Sequence, residues 1–214
     1  MIGDEPYGNY NRIMLSHVLA GEATVDDDDL MLNPMAWYRE HGVTLYAGDR
    51  AEAIDRFAKT VTCASGGRAI DFDVLVIATG SHTFFPNMDG LREPDGKLAR
   101  GVFGFRTIED TNGMLQMATS RDHMRAVVIG GGLLGLEAAY GLQTQGVAVD
   151  VVHSPGHLMN QQLDERGGTG AAEQDRVSRC RRAHRQAHDV GTAQRRRDGR
   201  GSRLHRRGIR CRPT

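Results

Sequence analysis

Three glycines, Gly130, Gly132 and Gly135, stand in the order Gly-x-Gly-x-x-Gly. They close the β-branched run "AVVIG" at 126–130, which reads as a buried strand of a parallel sheet. Beyond them Leu133, Leu134, Leu136, Ala139 and Leu142 keep the period of a helix, and Gly146 stops it. "VAVDVVH" at 147–153 reads as a second strand. A strand, a glycine turn, a helix and a strand in about 30 residues form a unit that can hold a dinucleotide pyrophosphate. Gly130 permits the tight turn. Gly132 lets the backbone approach the phosphates, and Gly135 lets helix and strand pack closely. Unpaired N–H groups and a partial positive charge at the helix start then face the anion.

The end of the second strand decides which dinucleotide is taken, because an acid there accepts a ribose hydroxyl. Asp150 lies 20 residues past Gly130, but mid-strand; the terminal residue is His153. An imidazole does not repel a 2′-phosphate as a carboxylate does, so a relaxed NADH/NADPH preference is expected. His153 also reads equally as a solvated strand-end residue. Other groupings carry less. Cys63, Cys180 and Cys211 form no CxxC pair, and their odd count and wide spacing argue against a disulfide framework and suit a reducing compartment. Cys180, His184 and His188 have ligand-like spacing but lack a fourth ligand. His153 and His157 flank a Pro-Gly turn, and the acidic run 26–29 reads as a solvated loop. No metal site is expected.

These groups need elements to position them. Upstream, "FDVLVIATGS" at 72–81 reads as another buried strand. The alternating residues around "SGG" before it read as a hairpin or meander. "MAWYREHGVTLYAG" reads as a short helix, a stop at Gly42 and a strand at 43–46.

The formal charge of zero hides two unlike parts. Residues 1–168 hold 13 Lys+Arg against 23 Asp+Glu, whereas residues 169–214 hold 14 Arg, no Lys and 4 acids. The second part has no aromatic residue and four large aliphatic ones, Val177, Val190, Leu204 and Ile209. It cannot bury a core, and disorder is expected of it. Arg without Lys beside Gly, Ala and His is also what a GC-rich gene gives when read in the wrong frame, so a frameshift near residue 168 is expected. A nucleic-acid-binding arm is the rival reading, but the aromatic platforms for bases are absent. No apolar run approaches the length of a membrane span, and the first residues have no signal-peptide pattern. The cytoplasm is the expected compartment.

The order of elements resembles the pyridine-nucleotide-disulfide oxidoreductase superfamily, flavoprotein reductases with two dinucleotide domains. "GDEPYGNYNRIMLSHVLAGE", "FDVLVIATGS", "GVFGFRTIEDT", "VIGGGLLGLEAAYGL" and "VVHSPGHLMNQQLDERGG" are similar to the N-terminal part of the large subunits of assimilatory NAD(P)H nitrite reductases. The resemblance covers about residues 1–168. It implies an α/β, three-layer Rossmann-like fold with two incomplete domains, a partial FAD-binding one at 1–110 and a partial NAD(P)H-binding one at 111–168, followed by the basic tail at 169–214. It implies that Asp4, with Glu5 as its neighbour, binds the adenosine ribose of FAD and that Arg12 lies near the FAD pyrophosphate. It implies that Ala78, Thr79 and Gly80 lie against the flavin. It implies that Gly130, Gly132, Leu133, Leu134, Gly135, Glu137 and His153 serve NAD(P)H. His17 stands where several relatives carry Lys, so no role is carried to it. The structural reading of Asp4 and Arg12 is an exposed turn.

The activity implied is hydride transfer from NAD(P)H to FAD and passage of electrons onward, with no protein acid or base required. Cys63 has no partner for thiol chemistry. The family's FAD domain opens with a strand and a second Gly-x-Gly-x-x-Gly, and this chain starts beyond that point. Sirohaem and an iron–sulfur cluster are expected only in downstream domains or through a small subunit. A ferredoxin or rubredoxin reductase-like flavoprotein and a non-catalytic fragment are the alternatives.

Overall fold

A computed structural model describes residues 1–26, 30–120, 122–154 and 156–174. The expected tail, with Cys180, His184, His188 and Cys211, lies outside the described residues from 175 onward, as do Asp27, Asp28 and Asp29. Strand β1 (Ile2–Gly3) pairs in parallel with β2 (Tyr46–Ala47). Between them come a 3₁₀ turn (Arg12–Met14), α1 (Leu15–Ala20) and α2 (Met35–Glu40). Next is the antiparallel meander β3 (Ala51–Asp55), β4 (Thr60–Cys63) and β5 (Ala69–Asp71). Helix α3 (Ile108–Ala118) leads to the parallel pair β6 (Arg125–Ile129) and β7 (Ala148–Val152), connected through α4 (Leu133–Thr144). Helix α5 (Glu165–Gln174) runs across position 168.

The local signals did their work where they were strongest. Gly66 and Gly67 turn β4 into β5, giving the expected meander. Helix α2 ends before Gly42, which takes φ 67°. The strand expected at 43–46 is confined to Tyr46–Ala47, since only there does the backbone run beside β1. Helix α3 has little apolar period in its sequence, with Thr111 and Gly113 on its face. It carries a full capping box, in which Thr107 accepts from Asp110 N–H and the Asp110 carboxylate accepts from Thr107 N–H.

Two expected burials do not occur. The run 72–81 bends at 73–74 and forms no strand, and Val74, Val76 and Ile77 are 82%, 80% and 70% exposed. An apolar run becomes a buried strand only when other segments cover it, and no described element does so. Strand β6 shows the same effect on one face. Helix α4 covers Val128 with Ala138, Ala139 and Leu142, but Val127 and Ile129 on the opposite face stay exposed. Leu133 and Leu134 are exposed too, so the helix buries its Ala138–Leu142 side rather than its first turn.

The core joins the first 30 residues to the segment 103–151. Leu19 on α1 is fully buried in one cluster with Met114, Ala139, Leu142, Val149 and Val151. Gly141 makes this possible: a Cβ there would lie 2.9 Å from Leu19 Cγ. Thr144 Oγ1 donates to Ala20 O at 3.0 Å, and Gln145 Nε2 donates to Leu19 O at 3.1 Å. A second cluster holds Tyr10, Leu15, Val18, Leu30 and Ile108.

Asp49 ties the β1–β2 pair to the meander. It accepts from Ser65 Oγ at 2.6 Å and Ser65 N at 3.0 Å, with Arg68 Nη1 3.9 Å away. Those two Ser65 bonds, helped by Arg68, hold the carboxyl below its ordinary value of 3.8. A carboxyl that is more acidic folded than unfolded stabilises the fold above its ordinary value, and loses that contribution as pH falls through the lowered one. The urea midpoint of the wild-type chain should therefore fall more steeply below about pH 4 than that of Asp49→Asn. Identical acid profiles would remove Asp49 from this role.

Candidate functional site

The glycine turn sits where β6 meets α4. Gly130 takes φ 118°, a conformation that L side chains rarely adopt, and its N–H donates to Val152 O at 2.8 Å. The chain therefore leaves β6 beside the end of β7. A Cβ on Gly135 would lie 1.9 Å from Gly130 O, so the first turn of α4 touches the loop backbone directly. Gly132 is the N-cap of α4 and has no side-chain cap. Around Gly130 and Gly132 there is nothing within 4 Å of a Cβ position. The first N–H groups of a helix have no partner within it, and no side chain caps those of α4. The arrangement fits the pyrophosphate of a dinucleotide.

The flanking residues divide. Leu133 and Leu134 are exposed at the helix start. Glu137 is half-buried one turn on and forms no ion pair among the described residues. Asp150 is held by Arg125, whose Nη2 donates to Asp150 Oδ2 at 3.1 Å, so its carboxylate is engaged on the strand. His153 follows β7 immediately, and its Nδ1 accepts from Gly131 N at 3.0 Å. Gly131, an x position of the motif, was not singled out from the sequence. It is buried, with its carbonyl accepting from Met159 N at 2.8 Å.

The residues of the first half gather around Arg12. Asp4 is exposed just past β1. Glu5 is half-buried and accepts from Arg12 Nη2 and from Tyr10 Oη, both at 2.5 Å. Arg12 Nη1 also donates to Tyr10 Oη at 2.6 Å and to Arg106 O at 2.9 Å. Burial by itself would lower the Arg12 pKa, but the hydrogen bond to Glu5 and the charges around it raise it. Burial, reinforced by Glu5, pushes the Tyr10 hydroxyl well up. Arg12 is therefore a held cation rather than a residue of a free turn. Ala78, Thr79 and Gly80 are exposed, and a Cβ on Gly80 would lie 3.0 Å from Arg106 Nη2. Arg106 thus stands between Arg12 and Gly80. Neither Tyr10 nor Arg106 carries a motif signal; Tyr10 is a near neighbour of Arg12 in sequence, whereas Arg106 reaches it across 94 residues.

These residues place a guanidinium near an exposed stretch of backbone. Among the described residues, the strand–turn–helix with Gly-x-Gly-x-x-Gly spacing is the one at Gly130–Gly135. No three His, Cys, Asp or Glu side chains converge as metal ligands among the described residues. Cys63 is buried and free. No described helix is long and apolar enough to cross a membrane.

Comparison with known proteins agrees with this geometry. Residues 1–176 match the family model described as pyridine nucleotide-disulphide oxidoreductase. The chain is 44% identical over 165 residues to the assimilatory nitrate reductase electron transfer subunit of Bacillus subtilis, covering 77% of this chain and 20% of that protein. It is 42% identical over 168 residues to the nitrite reductase [NAD(P)H] of the same organism, covering 78% and 20%. Among solved structures, the ferredoxin reductase of Rhodopseudomonas palustris superposes with a TM-score of 0.68 at 29% identity, over 80% of this chain and 40% of that one. The chain therefore spans about a fifth of the length of these curated relatives. Its fold is the Rossmann-like, FAD/NAD-binding α/β type, and the chain belongs to the pyridine nucleotide-disulphide oxidoreductase family.

Proposed function

We propose that this chain is the nucleotide-binding portion of an NAD(P)H-dependent flavoprotein oxidoreductase, most like the diaphorase part of a nitrite reductase large subunit. The observation that carries the reading is the β6–turn–α4 unit, with Gly135 seated on Gly130 O and open space at Gly130 and Gly132. When bound, NAD(P)H supplies a hydride and FAD accepts it for passage to a further centre. The chain's own residues bind and orient. Amides at the start of α4, around Leu133 and Leu134, meet the pyrophosphate, and Glu137 and His153 flank that loop. Arg12, held by Glu5, Tyr10 and the Arg106 carbonyl, offers charge to the flavin nucleotide. Asp4 lies at the end of β1, where a ribose is met, and Ala78–Gly80 present backbone to the ring system. Residues 1–110 form the FAD side and 111–168 the NAD(P)H side, and further redox domains or a small subunit take the electrons. Three widely spaced cysteines, Cys63, Cys180 and Cys211, fit a reducing, cytoplasmic setting. The likeness to a ferredoxin reductase favours one second reading, transfer to a small iron–sulfur protein.

The test uses the full chain. It is incubated with excess FAD, passed through gel filtration, and its visible spectrum recorded before and after NADH or NADPH. Retained flavin bands that bleach with either dinucleotide are the expected result. Quenching of NADH fluorescence by the chain reads the Gly130–Gly135 site separately. A chain that binds neither dinucleotide would overturn the proposal.

A further inference from the structure

His153 directly follows the second strand of the unit, at the position where a ribose is usually read. Its ring has a different occupation. Gly131 N–H donates to His153 Nδ1 at 3.0 Å. An imidazole nitrogen that accepts carries no proton, so the neutral ring holds its proton on Nε2. Nε2 is closed off from solvent and has no hydrogen-bond partner. It therefore presents nothing to a ligand. A buried, unpaired N–H costs free energy that an apolar side chain of similar size would avoid. What the ring supplies in return is the acceptor at Nδ1.

That acceptor completes a grip on Gly131. Met159 N donates to the Gly131 carbonyl at 2.8 Å. A Cβ on Gly131 would lie 2.4 Å from Leu158 Cδ2 and 3.0 Å from His153 Cγ. Its neighbours Gly130 and Gly132 face open space. The middle of the loop is thus held from behind, through both its N–H and its C=O, while the residues on either side stay clear.

We propose that His153 is a positioning residue for dinucleotide binding. It acts through Gly131, fixing the loop backbone so that the amides at the start of α4 stay aimed at the pyrophosphate, and it does not read the ribose. The proposal rests on the reading of Gly130–Gly135 as the dinucleotide loop.

The experiment compares the wild-type full chain with His153→Ala and His153→Asn. Asparagine Oδ1 can take the place of Nδ1 as acceptor, whereas alanine cannot. Amide hydrogen exchange at Gly131, read by NMR, should speed up about tenfold in His153→Ala and stay near wild type in His153→Asn. Exchange at Val128, inside β6, serves as the folding control and should not change. The Kd for NADH should rise about 3- to 10-fold in His153→Ala and stay within about twofold in His153→Asn. The ratio of NADH to NADPH affinity should be the same in all three. Unchanged Gly131 exchange in His153→Ala would overturn the proposal. So would a shifted NADH/NADPH ratio in His153→Asn with Gly131 still protected, which would make the ring a ribose reader. Wild-type chain that binds neither dinucleotide, with the Gly131 exchange pattern as expected, would instead overturn the reading of the loop and leave the grip as purely structural.

Discussion

Replacing Gly135 by alanine should break both the fold and the site. The added Cβ would lie 1.9 Å from Gly130 O and 2.9 Å from Gly130 C. These are backbone atoms, so no side chain can swing away. Relief requires the first turn of α4 to move off the end of β6, which disturbs the Gly130–Val152 bond and uncovers Val128. Overpacking against fixed atoms costs about 3 kcal/mol, at the upper end of its usual range. Urea unfolding should show that loss, and NADH affinity should fall by tenfold or more, as a displaced helix start no longer aims its amides. Gly132→Ala makes the contrast. Gly132 has φ −84° and open space around it, so alanine meets no clash and the loss should be only that of a poorer N-cap, about 1 kcal/mol. Its methyl group would still stand where the phosphates approach, so NADH binding should weaken. Equal urea midpoints for Gly135→Ala and wild type would refute the close contact.

Leu19→Ala should be nearly as damaging, although Leu19 lies far from the motif in sequence. Its side chain is fully buried among residues of α3, α4 and β7. A leucine truncated in such a site loses transfer free energy and leaves a cavity, together about 3 kcal/mol. The neighbour allows a sharper test. A Cβ on Gly141 would press on Leu19 Cγ at 2.9 Å and Cβ at 3.1 Å, so Gly141→Ala alone should destabilise. In the Leu19→Ala background that methyl would enter the vacated space. The double variant should be more stable than the two separate losses imply, with a coupling of about 1 kcal/mol in a double-mutant cycle. Strict additivity would mean that α1 and α4 do not share this contact.

The dinucleotide unit was legible because its signals are local. Glycine spacing, β-branched runs and a helical period act over neighbouring residues, and the ends of β6, α4 and β7 fall within a residue or so of where those signals put them. The meander was legible for the same reason. Helix α3 had a readable start in Thr107 and Asp110, but its face, with Thr111 and Gly113 among the apolar residues, has a weak period. Gly131 could have been found only by asking what the residue between two open glycines touches. Glu5, Tyr10 and Arg12 lie close together in sequence, but the Arg106 carbonyl meets Arg12 across 94 residues, and no spacing rule reaches that far.

The sequence by itself determined the family and the shape of the phosphate turn, because both are written in residues a few positions apart whose backbone conformations leave little choice. Only the tertiary structure decided which apolar residues are buried. Val74, Val76 and Ile77 look like core in sequence and stand exposed, whereas Leu19 on a six-residue helix is sealed into the core of the second half. Burial is a property of what lies across a face, and a strand is made by its hydrogen-bonded neighbours; neither is encoded in the segment itself. The same holds for His153. Its position at the end of β7 was plain from the sequence, but the partner of its ring nitrogen was fixed by how 157–159 folds back over Gly131.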